Sequence, residues 1–356
     1  MKRVGICTLH DANPNFGATL QAFSLQEIVK KMGYNVEFLK FKEEKRNGRK
    51  EIKLKLKKLY PNSKFQPIDT KNITINKGIK KSNRYLNICK EVYDKEKHQY
   101  DSIIIGSDEL WNLRNPSFIH QREYYGYGLN SQNVFAYAPS SNGTSKEIFE
   151  EYFNKDVDLE KINKLSARDK STQQFIRDVK NIEAPLVLDP TLLMEDFDKY
   201  AIEPEDENYI LIYDYRVTPE RKEKIQQLAK NKKLKIYSIG FYNAWADKNI
   251  DADIFEFLGY VKKAKYVVTA TFHGTIFSII FKKQFVSTAG ESLKIGDILE
   301  RFNLEKRDIT NLRNIEDVID EQIDYNAVEQ IKLENRKLSM KFLEKALYGD
   351  EYGISE

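Results

Sequence analysis

The chain has 356 residues, of which 41% are hydrophobic and 31% charged, with a formal net charge of +4. That length predicts two domains with real apolar cores, and the near balance of charge argues against a nucleic-acid binder. The two cysteines, Cys7 and Cys89, form neither a metal-ligand spacing nor a disulfide framework, which suits a reducing cytoplasm; no signal-peptide core follows Lys2 and Arg3, and no run approaches the ~20 apolar residues of a membrane span.

Residues 4–9 read as a buried strand and 18–32 as a helix, with Leu20, Phe23, Ile28 and Val29 on one face and Gly33 as its stop. A second strand at 36–41 completes a βαβ opening, so a parallel sheet with right-handed crossovers is expected. The loop at 13–17 then lies at the carboxyl end of the first strand, where open α/β sheets bind ligands. It matches no dinucleotide or P-loop fingerprint, and ordinary Asn, Pro and Gly turn chemistry explains it equally well.

An insertion at about 42–98 begins with a basic run that includes Lys45, Arg46, Arg49, Lys50, Lys53 and Lys55. A solvated surface is the default reading; a peripheral contact with an anionic membrane face is the alternative. A helix is expected around 85–97. Residues 103–105 form a central strand, after which Gly106 turns the backbone into Ser107, Asp108, Trp111 and Asn112. Those side chains could hold a polyhydroxyl ligand by carboxylate hydrogen bonds and aromatic stacking, or form a turn around a structural Trp. A further strand falls at 134–138, and a helical stretch begins at 148. A strand end at 165 feeds a helix that runs to about 179, with Arg168 just before it. A guanidinium and helix-terminal N–H groups could share one anion there; an Arg–Asp surface pair is the alternative. Residues 185–190 read as the last strand of this half, and the acidic segment 195–207 as the interdomain connection.

The second half repeats the alternation, with strands at 209–213 and 234–239 and helices at 219–230 and 255–263. The run 266–281 starts β-branched, ends apolar, and holds Thr271, Phe272, His273, Gly274 and Thr275 between. A strand that turns at a Gly into a helix aims N–H groups and about half a positive charge beyond the strand end. An imidazole in that turn suits an anionic substrate and proton transfer; a buried corner with a satisfied His is the alternative. A strand at 285–287, a loop through Lys294 and a charged helix at 325–347 close the chain. The organisation expected is α/β: two doubly wound, Rossmann-like domains at 1–195 and 196–324 with a cleft between them. The segment 325–356 would then form a helix able to cross back over the hinge.

Several separated motifs carry a family resemblance: Asn-Phe-Gly-Ala-Thr-Leu-Gln at 15–21, Gly-Ser-Asp-Glu-Leu-Trp-Asn at 106–112, Ser-Ala-Arg-Asp at 166–169, Leu-Asp-Pro at 188–190, and Phe-His-Gly at 272–274 followed by Phe-Ser-Ile-Ile-Phe at 277–281. In order and spacing the chain resembles the polysaccharide pyruvyl transferase family over nearly its full length. The resemblance implies a glycosyltransferase-B-like architecture, with the acceptor on the first domain and the donor on the second. It also implies transfer of the enolpyruvyl unit of phosphoenolpyruvate to two hydroxyls of a sugar, free or lipid-linked, as a pyruvate ketal in cell-surface polysaccharide. Neither cofactor nor metal is implied. His273 would be the general acid/base, Arg168 would hold phosphate or carboxylate, and Lys294 would match a basic position of relatives. The N–H groups of Gly274 and Thr275 would form an anion site. Substrate contacts would come from Asn15, Gly17, Gln21, Ser107, Asp108, Trp111, Asn112, Ser166, Arg216 and Phe272. Relatives carry an Arg two residues before the His, or an Asp one residue earlier; here those positions are Thr271 and Ala270, so Arg216 or Lys294 would replace the lost charge. A nucleotide-sugar glycosyltransferase of the same architecture and a non-catalytic glycan-binding relative are the alternatives.

Overall fold

The structure, a computed structural model, describes residues 1–9, 15–41, 77–115, 121–215, 217–290, 292–311 and 314–349. The basic run after 42 and Arg216 lie outside the described residues.

The first domain winds through β1 (Arg3–Cys7), α1 (Phe16–Lys31), β2 (Asn35–Phe38), α2 (Lys77–Lys81), β3 (Ser102–Ile105), β4 (Val134–Ala136), α3 (Lys146–Tyr152), β5 (Lys164–Leu165), α4 (Lys170–Lys180) and the short α5 (Pro190–Leu193). Its five strands form a parallel sheet in the order β2-β1-β3-β4-β5, with Val4 opposite Val36 on one side and Ser102 on the other. The second domain follows with β6 (Tyr209–Tyr213), α6 (Pro219–Lys232), β7 (Lys235–Ile239), β8 (Lys248–Ile250), α7 (Ile254–Lys263), β9 (Tyr266–Thr269), α8 (Phe272–Ile280), β10 (Gln284–Ser287), α9 (Leu293–Arg301), α10 (Ile315–Asp320) and α11 (Tyr325–Tyr348). Its parallel order is β10-β9-β6-β7-β8. The chain order reverses between β1 and β3 in one sheet and between β6 and β9 in the other, and such switch points leave crevices at the carboxyl ends of their strands.

Local chemistry explains where the helices start. Asn15 caps α1 by accepting from Ala18 N at 2.8 Å, Thr218 precedes Pro219 at the start of α6, and Asp253 with Glu256 forms a capping box on α7. The central strands β3 and β6 are buried along their whole length, as their unbroken apolar runs require.

One apolar core runs from the first sheet into the second. Phe16 stacks on Phe257 at 4.4 Å, and Phe23 meets Phe255 edge-on at 5.3 Å. Helix α11 spans both domains. At its start the Tyr325 hydroxyl donates to Lys283 O at 2.5 Å; further on, Ser339 Oγ accepts from Leu188 N at 2.8 Å, and the Tyr348 hydroxyl donates to Met32 O at 2.8 Å.

Two local expectations are corrected. Residues 185–190 add no strand to the sheet: a lone bridge joins Ala167 to Leu186, and Asp189 instead caps α5, which Pro190 opens, through Thr191 N. The stretch 85–97 is not a helix; after a 3₁₀ turn at Ser82–Tyr85 it runs irregularly, with Ile88 bridging to Phe38, since pairing beside β2 satisfies its backbone.

Candidate active site

His273 lies in the first turn of α8 because Thr271 is the N-cap, its hydroxyl accepting from Gly274 N at 2.9 Å. The helix therefore begins earlier than its apolar periodicity suggests. A Cβ at position 274 would press on the hydroxyls of Thr269 and Thr271, so Gly lets the helix start directly on the strand end. The imidazole is 8% exposed and is held between the domains. On its Nδ1 side it packs against the backbone of Gly17 in α1, where any Cβ would overlap the ring. On its Nε2 side it faces Asp189 Oδ2 at 3.6 Å, an electrostatic contact rather than a hydrogen bond.

Asp189 is the hub. Its Oδ2 accepts from Arg168 Nη1 at 2.9 Å and from Ser107 Oγ at 3.3 Å, and its Oδ1 accepts from the Thr191 hydroxyl at 2.7 Å. Burial would raise this carboxyl, but His273 and Arg168 override burial and hold it well below the usual carboxylate range. Arg168 is 5% exposed; it pairs also with Asp108 Oδ1 at 3.5 Å, and its guanidinium lies over the Phe272 ring at 4.4 Å. Its Nε and Nη2 are buried and have no hydrogen-bond partner. Such orphaned, charged donors are costly unless a ligand accepts from them. The N-termini of α1, α4 and α8 meet around this group, so three helix dipoles add positive potential to it.

Lys294 stands on the outer side. It is 5.6 Å from the Phe272 ring and is in contact with Glu109 of the first domain, so the pair bridges the cleft. Burial pulls its ammonium down to about 8, while Asp108 pulls it back. Beside it opens a cavity of about 150 Å³ lined by Arg168, Asp169, Lys170, Phe272, Asp297 and Arg301 among others. Helix α9 closes this side: Lys170 N donates to Asp297 Oδ2 at 2.7 Å, and Arg301 donates to the carbonyls of Leu186 and Val187, each at 3.1 Å.

The structure thus brings Gly17, Asp108, Arg168, Phe272, His273 and Lys294 together. Other expected contacts are corrected. Trp111 is wholly buried, stacked with Tyr125 at 5.9 Å and donating to Tyr124 O at 2.8 Å, so it has no face for a ligand. The N–H groups of Gly274 and Thr275 are used within the helix, donating to Thr271 Oγ1 and to Thr271 O at 3.1 Å. The first-turn donors left to the cleft are those of Phe272 and His273. Asn15 caps its own helix; Gln21 donates to Thr8 and Ala18; Ser166 binds the backbone of Ala136 and Ala138; the Thr275 hydroxyl meets Thr271 O and Ser287; Asn112 donates to Glu109. These hydrogen bonds tie the side chains into the loops, while Gln21 Oε1 and Asn112 Oδ1 are buried with no hydrogen-bond partner among the described residues. Arg216 lies outside the described residues. Asp189 and Glu109 were missed as site residues, although both stand inside the motifs at 188–190 and 106–112. Asp189 supplies the carboxylate partner of the imidazole that Ala270 lacks. Among the described residues no cluster of His, Cys, Asp and Glu could hold a metal, and no helix is long and apolar enough to cross a membrane.

Two Rossmann-like domains facing each other across a cleft, each offering the switch-point end of a parallel sheet, define a protein of the glycosyltransferase-B-like class. The crystal structure of a UDP-N-acetylglucosamine 2-epimerase superposes with a TM-score of 0.53 at 9% identity, covering 100% of this chain and 98% of that chain. A putative UDP-N-acetylglucosamine 2-epimerase from Listeria monocytogenes does so with a TM-score of 0.50 at 8% identity, covering 97% and 96% of the two chains. At these identities the likeness is one of fold. No curated protein sequence matches the chain. The family model for polysaccharide pyruvyl transferase matches residues 15–292, and the chain belongs to that family.

Proposed function

We propose that the protein is a pyruvyltransferase that moves the enolpyruvyl unit of phosphoenolpyruvate onto two hydroxyls of a sugar acceptor, in the making of a cell-surface polysaccharide. One observation carries the reading: a buried guanidinium, Arg168, with two donors unpartnered, beside an imidazole and three helix N-termini. A ligand with both a phosphate and a carboxylate satisfies those donors and the local potential together.

In this reaction a proton goes to the methylene carbon of phosphoenolpyruvate, and C2 becomes oxocarbenium-like. A first sugar hydroxyl adds to C2 and gives up its proton; the C2–O bond to phosphate then breaks, and a second hydroxyl closes the ketal. Of the two hydroxyl protons, one balances that on the new methyl group and the other leaves with phosphate. His273 is the proton carrier, a role worth typically ~10²–10⁴ in rate. Asp189 orients its ring and stabilises the imidazolium, Arg168 binds the donor's charge, and Lys294 flanks the leaving phosphate. His273→Ala is expected to abolish acceptor-dependent phosphate release while circular dichroism still shows a folded chain. Full activity in that variant would sink the assignment. Thermal-shift titration identifies the donor: stabilisation should grow as RT ln(1 + [L]/Kd) with phosphoenolpyruvate and be absent with UDP-sugars, and the reverse pattern would make the protein a nucleotide-sugar glycosyltransferase.

A further inference from the structure

With Trp111 in the core, an aromatic surface for a sugar has to come from elsewhere, and a row of rings begins beside His273. Phe16, next to the Gly17 that packs on the imidazole, meets Tyr213 edge-on at 5.8 Å. Tyr213 stacks with Phe241 at 5.6 Å, and Phe241 meets Tyr215 at 5.7 Å. The inner rings are buried, whereas Phe241 and Tyr215 are half-buried and the neighbouring Tyr242 is 45% exposed. The row therefore runs from the imidazole out to solvent.

Its position is set by the second sheet. Tyr213 ends β6 and pairs with Thr269 at the end of β9, so it flanks the switch point from which α8 and His273 depart. Phe241 follows β7 one strand further along. Burial raises the Tyr213 hydroxyl above its ordinary value, and the charge of Asp108, from the first domain, raises it further; that hydroxyl makes no hydrogen bond among the described residues. A hydroxyl end within reach of the Asp108 charge and a half-buried apolar flank match the two faces of a pyranose, whose C–H groups lie on aromatic rings while its hydroxyls seek carboxylates and hydroxyls.

We propose that Tyr213, Tyr215 and Phe241, together with Asp108 across the cleft, form the acceptor subsite: a pyranose lies on the Phe241 and Tyr215 rings, and the Tyr213 hydroxyl and Asp108 carboxylate take its hydroxyls. This rests on the pyruvyl-transfer reading and names where its acceptor sits. Both domains then supply the acceptor site, instead of the first domain alone.

The test is a saturation-transfer NMR titration of p-nitrophenyl glucopyranoside, galactopyranoside and mannopyranoside against the protein in the presence of phosphoenolpyruvate. At least one glycoside should bind, and Phe241→Ala and Tyr215→Ala should each weaken it by about tenfold. Tyr213→Phe, which keeps the ring and so the packing, should weaken it by about threefold to tenfold. Wild-type protein that binds none of the three, or variants that bind within about twofold of wild type, would overturn the subsite. Thermal stabilisation by phosphoenolpyruvate should survive all three substitutions. Its absence from wild type, with glycoside binding intact, overturns the donor assignment and leaves the subsite standing.

Discussion

Buried at 1% exposure, Asp189 would on its own favour a neutral carboxyl, yet His273 and Arg168 keep it ionised. Removing that charge leaves Arg168 buried without its nearest partner. Asp189→Asn is therefore expected to lower stability by about 3–5 kcal/mol at neutral pH, measurable by urea unfolding. The pH dependence follows from the direction of the shift. A carboxyl whose folded pKa lies below its unfolded one contributes stability that is fully present above about pH 4 and is lost as pH falls toward the folded value. The gap between wild type and Asp189→Asn should thus be constant near neutrality and narrow below about pH 4; a gap that stayed constant down to pH 2 or so would contradict the assignment of the charged state. Gly17 makes a second, geometric case. An added methyl group there overlaps the imidazole of His273, so Gly17→Ala should displace the ring and cost about 10² in kcat. Circular dichroism should still show a folded chain, because Ala favours the α1 helix by about 1 kcal/mol over Gly.

At the scale of elements, the start of α8 shows how a cap decides which donors a substrate can find. Thr271 accepts from Gly274 N, and its own hydroxyl is 3.0 Å from that of Thr269 on the preceding strand. Thr271→Ala should cost about 1 kcal/mol through loss of the cap, and Thr271→Ser should recover most of it. Thermal melts of the two variants distinguish this from a simple loss of packing, which Ser would not restore. Helix α9 has the complementary role. Its Lys294, Asp297 and Arg301 fasten it to the first domain by polar contacts, while α1 and α7 meet through aromatic rings.

For the whole molecule, the continuous apolar core and the bridging α11 make the two domains one cooperative unit. Thermal unfolding should follow a single transition by calorimetry and by circular dichroism. Phe257, fully buried and stacked on Phe16 across the domain boundary, is the residue whose loss tests this. Phe257→Ala should cost about 3–5 kcal/mol and lower the unfolding temperature of both domains together. Two separate transitions in the wild-type protein would contradict a shared core.

The sequence by itself determined the alternation of strands and helices, the parallel sheets, and the placing of motifs at strand ends, because period-2 and period-3.6 burial and local turn chemistry are properties of short segments. It also located Arg168, Asp108 and His273 just beyond carboxyl ends of strands, the last in what proves to be the first turn of a helix. Where two local signals competed, the tertiary structure chose: the segment at 185–190 is apolar enough for a strand, but Asp189 was needed to cap α5 and pair with Arg168. Trp111 could have been a platform or a core residue, and packing against Tyr125 and Phe175 decided for the core. That Asp189 stands under His273, 84 positions away in a different domain, and that a row of rings from Phe16 to Tyr215 starts beside the imidazole, follow from how the two sheets face each other. Contacts between residues so far apart leave no periodic trace in the chain, since each partner satisfies only the local rules of its own element.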